Sequence, residues 1–210
     1  MKRLVIIGAG GHGREALDII EAINAVQPTF EFLGFLDDGR IPGSRAEPFD
    51  VEVIGGIDRV ADLGAAFVPA IGATGVRRKI VEALRDYDTV DLIHPLASVG
   101  SHVTHGPGLI MAAGSRLTHA IDVGEHVHLN VNATVSHDCR IGSFVTITPG
   151  AHISGDVRVG NGVWMGIGSV AIQGVTIGAD ATVGAGAAVV DDLPMGCTAI
   201  GVPARPSKKS

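Results

Sequence analysis

Residues 135–164 read VSHDCR IGSFVT ITPGAH ISGDVR VGNGVW, five consecutive hexads that each begin with a large aliphatic residue. The same phase runs from Val99 to Val189, where fourteen of the sixteen first positions are large aliphatics. A period of six excludes the 3.6-residue stripe of a helix and indicates short strands separated by turns. Because one such unit cannot bury its inward face alone, successive coils must stack into a solenoid. A β-sandwich would instead show uneven strand spacing.

The composition narrows the class of protein further. The chain of 210 residues is 46% hydrophobic and 18% charged, which excludes a disordered protein. A net charge of -6 gives no electrostatic reason to bind nucleic acid or an anionic membrane. The early apolar run Leu4–Ile7 is too short for a signal peptide or a membrane span, and two cysteines, Cys139 and Cys197, suit a reduced protein. We therefore expect a cytoplasmic protein.

The second half resembles the hexapeptide acyltransferases. The resemblance covers residues 97–205 and rests on the pairs Ile141-Gly142, Val159-Gly160 and Ile177-Gly178 and on the tail Gly201-Val202-Pro203-Ala204-Arg205. It implies a left-handed parallel β-helix of hexapeptide repeats over residues 96–210. It also implies a homotrimer, with acyl-CoA bound between neighbouring helices.

The first half, residues 1–95, is typical of an α/β nucleotide-binding unit. A buried strand at Leu4–Ile7 leads into Gly8-Ala9-Gly10-Gly11-His12-Gly13 and then into a helix, which is the arrangement that brings backbone close to phosphates. A second strand ends at Asp37-Asp38, where a carboxylate can accept hydrogen bonds from a ribose or a base. Since a dinucleotide fold needs two mononucleotide halves, one Rossmann-like half-domain is the better interpretation, and an NAD-dependent dehydrogenase is the weaker one.

The combination of both halves resembles one group of bacterial sugar acyltransferases over essentially the whole chain. This group includes the UDP-4-amino-sugar N-acetyltransferases and the sialic acid O-acetyltransferases. The resemblance implies that the first half holds a nucleotide sugar. The positions that match its contacts are Gly10, Gly11, His12, Asp37, Asp38 and Gly72.

Among nine histidines, His137 stands out because Ser136-His137-Asp138-Cys139 places an imidazole beside a carboxylate. Acyl transfer from a thioester requires the attacking amine or hydroxyl to lose a proton, and a neutral imidazole has the right basicity for this near pH 7. In the group that the chain resembles, the matching histidine is the general base. His137 is therefore the predicted catalytic base.

Two further catalytic candidates have structural alternatives. Adjacent residues on a strand point to opposite faces, so Asp138 assists His137 only if a corner brings both side chains together; otherwise it caps that corner. Asn130 matches another active-site position of the group, or it is a solvated residue of the wall.

The cofactor is expected to be acetyl-CoA as a co-substrate, with no metal. Thr146 stands where a relative carries a second histidine near the thioester, and the resemblance implies further CoA contacts at Gly155, Ile167 and Arg205. The pair His126 and His128 lacks the third and fourth ligands that a zinc site needs.

The sequence thus predicts an acetyl-CoA-dependent N-acetyltransferase that acts on the amino group of a nucleotide-linked amino sugar. One alternative is an O-acetyltransferase of the sialic acid type, in which a sugar hydroxyl is the acceptor. A second alternative is a trimer that binds nucleotide sugars without catalysis.

Overall fold

The computed structural model describes residues 1–40, 43 and 52–207. The chain divides into two compact units, Met1–Pro95 and Leu96–Ser210. None of the helices in the described ranges is long and apolar enough to cross a bilayer.

The first unit is built on a parallel sheet of four strands. In spatial order the strands are Val53–Gly55, Phe30–Leu36, Lys2–Ile7 and Ala66–Pro69, so the first strand of the chain lies inside the sheet. Its residues Leu4, Val5 and Ile6 are fully buried, as expected for a strand covered on both faces. The elements are β1 (Lys2–Ile7), α1 (Gly11–Val26), β2 (Phe30–Leu36), β3 (Val53–Gly55), α2 (Val60–Leu63), β4 (Ala66–Pro69), α3 (Thr74–Ala83) and β5 (Leu92–Ile93).

The first unit contains two elements that the sequence pattern did not reveal. These are β3 and α2, which a 3-10 turn at Ile57–Arg59 connects. With three and four residues they are too short to show a period of two or of 3.6. The apolar run at residues 66–71 indicates a strand, but the strand β4 ends at Pro69, two residues before the end of this run.

The second unit is a parallel β-helix of two-residue strands arranged in three sheets, which we call the first, second and third faces. The first face contains β6 (Ser98–Val99), β9 (Arg116–Leu117), β12 (Thr134–Val135), β15 (His152–Ile153), β18 (Val170–Ala171) and β21 (Ala188–Val189). The second face contains β7 (Thr104–His105), β10 (Asp122–Val123), β13 (Arg140–Ile141), β16 (Arg158–Val159) and β19 (Thr176–Ile177). The third face contains β8 (Ile110–Met111), β11 (His128–Leu129), β14 (Thr146–Ile147), β17 (Trp164–Met165), β20 (Thr182–Val183), β22 (Thr198–Ile200) and β23 (Arg205–Pro206), the last of them antiparallel to β22.

The core of the β-helix follows directly from the hexad pattern. From β8 to β21 each strand turns its second residue inward, and these residues stack from coil to coil at a spacing of 18, as in Val135 on Ile153. The small or aliphatic residue two positions earlier is also buried, as at Ala133 and Val145. Burying one Val, Leu or Ile side chain contributes about 1.5–3 kcal/mol, so the column of inward residues is the main stabilising feature.

The corners between the faces require left-handed backbone. At the first corner, between the first and second faces, Ala120, Asp138 and Asp156 all have positive φ. The corner residues of successive coils are joined by backbone hydrogen bonds, such as Asp138 N to His119 O at 3.0 Å and Asp156 N to His137 O at 2.8 Å. The first corner is therefore a regular column in which the backbone of each coil is hydrogen-bonded to that of the next coil.

Candidate active site

A cavity of about 490 Å³ opens in the first unit at the carboxyl ends of β1, β2 and β4. Ligands of open α/β sheets bind at this edge. The structure brings all six residues of the predicted nucleotide-sugar site to its wall. They are Gly10, Gly11, His12, Asp37, Asp38 and Gly72.

The glycines of the loop after β1 serve two different purposes. Gly8 has φ +98, and a Cβ there would lie 2.9 Å from Ile71 Cγ1, while a Cβ at Gly13 would overlap the carbonyl of Gly8. These two glycines allow the strand, the helix and the neighbouring loop to pack closely. At Gly10 and Gly11, by contrast, a Cβ would meet nothing within 4 Å. Backbone at these two positions faces open space, which suits close approach by a ligand.

The two carboxylates at the end of β2 are not equivalent. Asp37 Oδ2 accepts a hydrogen bond from Ala9 N at 2.9 Å, and its Oδ1 accepts one from Gly39 N at 3.0 Å. Asp37 therefore braces the glycine loop against the end of β2. Asp38 is exposed, and its Oδ1 accepts a hydrogen bond from Ile57 N at 2.8 Å. Asp38 is thus the carboxylate better placed to accept hydrogen bonds from a ligand.

His12 lies at the cavity as the second residue of α1. Its Nδ1 is 3.1 Å from Glu15 Oε2, one turn further along the helix. The hydrogen bond with His12 lowers the pKa of Glu15 below its usual value. The carboxylate therefore orients the imidazole ring at the cavity wall.

The second unit carries a histidine–carboxylate pair at the first corner. His137 Nδ1 lies 2.7 Å from Asp138 Oδ2, and both side chains are about half exposed, at 53% and 61%. The pairing is possible because Asp138 has φ +63, so the corner turns two adjacent side chains to one side, which a strand would not do. A carboxylate at Nδ1 favours the tautomer with its proton there and leaves Nε2 as the accepting nitrogen.

Gly155 lies directly above His137 in the next coil. A Cβ on Gly155 would lie 2.6 Å from Nε2 and 3.0 Å from Nδ1 of His137, and its three nearest atoms would all belong to this ring. Gly155 is buried. The imidazole ring of His137 therefore packs directly against the backbone of Gly155.

The other predicted residues of the β-helix lie away from His137 within the chain. Thr146 is on the third face, opposite the first corner, and only 1% exposed. Asn130 follows β11 on the same face, and Ile167, at 58% exposure, lies at the third corner, between the third and first faces. Arg205, in the C-terminal segment, pairs with Asp191 at 2.9 Å. The structure does not bring these four residues to the His137–Asp138 pair of one chain.

Comparisons with known proteins identify the family. The PglD N-terminal domain family model matches residues 3–84. A perosamine N-acetyltransferase mutant from Caulobacter crescentus, in complex with CoA and GDP-perosamine, has a TM-score of 0.89 and 32% identity, covering 100% of this chain and 98% of that one. The acetyltransferase domain of PglB from Neisseria gonorrhoeae FA1090, in complex with acetyl coenzyme A, has a TM-score of 0.86 and 36% identity over 98% and 99% of the two chains. No curated protein sequence matches.

The chain belongs to the hexapeptide-repeat sugar N-acetyltransferases. This confirms the predicted fold class, a Rossmann-like half-domain followed by a left-handed β-helix, and the predicted N-acetyltransferase function. It also confirms acetyl-CoA as the co-substrate and favours an amine over a hydroxyl as the acceptor.

The two histidines of this acetyltransferase that are weighed above as a metal-binding pair lie on different elements. His126 and His128 do not share one strand face, because His126 occupies a corner with φ +51 and only His128 belongs to β11. The ring of His126 stacks on Phe144, with 5.5 Å between the ring centroids. Across residues 1–40, 43 and 52–207 there is no group of three His, Cys, Asp or Glu side chains that could hold a metal.

Sequence reasoning missed one residue next to the cavity of the acetyltransferase. Arg77 in α3 is fully buried and bonds to the loop that contains Gly72. A signal was present, since Arg77 stands three residues before Ile80 and seven before Leu84, on the buried stripe of the helix. A cation on such a stripe indicates a polar partner inside the fold.

Proposed function

We propose that this chain transfers the acetyl group of acetyl-CoA to the amino group of a nucleotide-linked amino sugar, with His137 as general base. The observation that carries the proposal is the His137–Asp138 pair resting on Gly155. The cavity with open backbone at Gly10 and Gly11 is the proposed nucleotide-sugar site.

In the proposed reaction the sugar amine attacks the thioester carbonyl carbon while Nε2 of His137 takes the proton that the nitrogen loses. Asp138 accepts the hydrogen bond from Nδ1–H and stabilises the imidazolium that forms. The tetrahedral intermediate then collapses, the carbon–sulfur bond breaks, and the imidazolium returns its proton to the CoA thiolate. The products are an amide and free CoA, and no covalent enzyme intermediate is needed.

A nucleoside diphosphate sugar with a free amine is the proposed acceptor class. The support is twofold: the similar Caulobacter crescentus enzyme binds GDP-perosamine, and the loop at Gly10 leaves room for phosphates at the start of α1. Asp38, exposed at the same cavity, is the proposed acceptor of hydrogen bonds from the nucleotide's hydroxyls. His12, held by Glu15, is proposed to contact the ligand at the opposite side of this loop.

A homotrimer is part of the proposal, and the distribution of the predicted catalytic and CoA-binding residues supports it. His137 lies at the first corner, whereas Asn130, Thr146 and Ile167 lie on the third face or at the third corner. If copies pack side by side about a threefold axis, the first corner of one copy faces another side of its neighbour, which would unite the two groups. We further propose a cytoplasmic location, where acetyl-CoA is available and the two free cysteines stay reduced.

The proposal is tested by following thiol release from acetyl-CoA with GDP-perosamine as acceptor. We expect His137→Ala to lower turnover by ~10²–10⁴-fold, the usual contribution of a general base, and to recover in part at high pH, where the free amine is itself a competent nucleophile. His152→Ala is the matched control, because His152 is also exposed on the β-helix and bonds to Thr134. Wild-type turnover by the His137 variant, with chemistry rate-limiting, would refute the assignment.

The product identifies the acceptor atom. An amide survives treatment with alkaline hydroxylamine, whereas an ester is cleaved. A labile product, together with no high-pH rescue of His137→Ala, would show that a hydroxyl is acetylated instead. A light-scattering mass of one chain at micromolar concentration would contradict the trimer.

A further inference from the structure

Arg77 is a fully buried cation beside the cavity of the first unit. Its side chain is 0% exposed, and it lies in the first turn of α3. Its Nη1 donates a hydrogen bond to the carbonyl oxygen of Ile71 at 2.7 Å and a longer one to that of Gly72 at 3.3 Å. Both acceptors belong to the loop between β4 and α3, so Arg77 ties this loop to the helix that follows it.

Burying the guanidinium of Arg77 costs free energy unless hydrogen bonds compensate for the lost contact with water. Burial, with a smaller contribution from Arg78, lowers the pKa of Arg77 to about 9. The group is still protonated at neutral pH and must be compensated by hydrogen bonds. A methionine or leucine would fill a similar volume without this cost, and buried charges are often replaceable by apolar residues without loss of stability. Stability alone therefore does not account for the choice of arginine.

The loop that Arg77 holds forms one wall of the cavity. Ala70, Ile71 and Gly72 all line it, on the side facing the glycine loop. The contact between the two loops is close, because a Cβ on Gly8 would lie 2.9 Å from Ile71 Cγ1 and 3.2 Å from Ala70 O. The position of the loop therefore sets how wide the cavity is between its two backbone walls.

Arg77 itself does not line the cavity, whereas its helix neighbours Val76 and Ile80 do. Its hydrogen bonds draw the carbonyls of Ile71 and Gly72 toward the interior of the unit. Because both carbonyl oxygens accept hydrogen bonds from Arg77, they point away from the anionic groups of a bound nucleotide. The arrangement acts on the ligand only through the loop.

We propose that Arg77 is a positioning residue of the nucleotide-sugar site: by fixing the carbonyls of Ile71 and Gly72, it holds the cavity wall in its binding geometry. This inference rests on the proposed function of the cavity. The inference predicts that the affinity for the nucleotide sugar depends on Arg77. The affinity for acetyl-CoA and the rate of the chemical step do not depend on it.

The test compares Arg77→Met, Arg77→Lys and the control Lys79→Met, which removes an exposed cation from the same helix. We expect Arg77→Met to raise the KM and Kd for GDP-perosamine roughly tenfold or more, the worth of one hydrogen bond to a charged group. The KM for acetyl-CoA and kcat at saturation should stay within twofold. Arg77→Lys should recover part of the affinity, because an ammonium can reach one of the two carbonyls, and Lys79→Met should bind like the wild type.

Thermal unfolding shows whether each variant is folded. A folded Arg77→Met with wild-type affinity for GDP-perosamine overturns the inference. If Arg77→Met does not fold, Arg77→Lys decides: weaker binding of the nucleotide sugar with unchanged acetyl-CoA KM supports the positioning role, and unchanged binding refutes it. Failure of the proposed function looks different, since the wild-type protein itself would then bind no nucleotide sugar in calorimetry.

Discussion

Replacing Gly155 by alanine tests how closely the imidazole of His137 must be placed. The backbone at Gly155 does not have positive φ, so alanine introduces no backbone strain there. The new methyl group would instead lie 2.6 Å from Nε2 of His137. Cε1 of the same ring would be closer still, and ordinary van der Waals contact begins at 3.4 Å, so the ring must retreat by about 1 Å or rotate away from Asp138.

The size of this displacement sets the expected loss of activity. A misplacement of ~1 Å at a reacting group can cost ~10²-fold in rate. We therefore expect kcat to fall by roughly that factor, with both KM values and the thermal midpoint close to those of the wild type. The three atoms nearest to the new methyl group all belong to an exposed side chain that can swing outward, so we expect little loss of stability.

The assay is steady-state thiol release, and a double-mutant cycle provides the internal check. If alanine acts by moving His137, then Gly155→Ala has little further effect in a chain that already carries His137→Ala. Gln173→Ala, at the equivalent exposed corner position one coil further on, is the control and should leave kcat unchanged. A Gly155→Ala variant with kcat within threefold of the wild type would refute the idea that this glycine positions the base.

Three further predictions concern the cavity, the thiols and the response to pH. At Gly10 an added Cβ would meet no atom within 4 Å, so Gly10→Val should abolish binding of GDP-perosamine in calorimetry while the acetyl-CoA affinity is unchanged. Equal loss of both affinities would contradict separate sites for the two ligands. Burial raises the pKa of both thiols, and since Cys139 is 1% exposed and Cys197 only partly buried, mass spectrometry should find Cys197 alkylated first, with Cys139 modified only on unfolding. The hydrogen bond with His12 lowers the pKa of Glu15, so the carboxylate stabilises the fold above its unfolded pKa and loses this effect as pH falls through the lowered pKa. The thermal midpoint should exceed that of Glu15→Gln at pH 7, and the difference should begin to shrink at about pH 4.3, the usual pKa of a glutamate, and vanish once the pH is below the lowered pKa.

The β-helix could be predicted from the sequence because its determinants are local. The position of a residue within its own hexad determines whether its side chain points inward. The stacking of Val135 on Ile153 follows from this local pattern and does not depend on distant parts of the chain. The corner at Asp138 can be predicted on the same basis. The alternation of side chains along a strand, by itself, leaves open whether Asp138 lies at a corner. Position 138 is in phase with Gly150 and Gly162, and glycine at this hexad position indicates left-handed backbone.

The relative placement of the site residues could not be read from the sequence in the same way. One coil contains 18 residues, so residues nine apart, such as His137 and Thr146, lie on opposite sides of the β-helix. A family pattern that includes both His137 and Thr146 does not indicate whether one chain or two chains contribute these residues to a site. Arg77 is a different case: its place on the apolar stripe of α3 signals a buried cation, but its partners are two backbone carbonyls, which carry no sequence signal.

The glycines of this chain fall into two groups, according to the atoms that an added Cβ would meet. One group is required by the fold, and the other is explained by the candidate site. At Gly124, Gly142 and Gly160 a Cβ would meet backbone of the next coil, so the close stacking of coils demands glycine there. At Gly10 it would meet nothing, and at Gly155 its nearest atoms all belong to the His137 ring. Neither of these two positions has positive φ. The fold does not explain glycine at either place, whereas a ligand approaching Gly10 and an imidazole resting on Gly155 explain both.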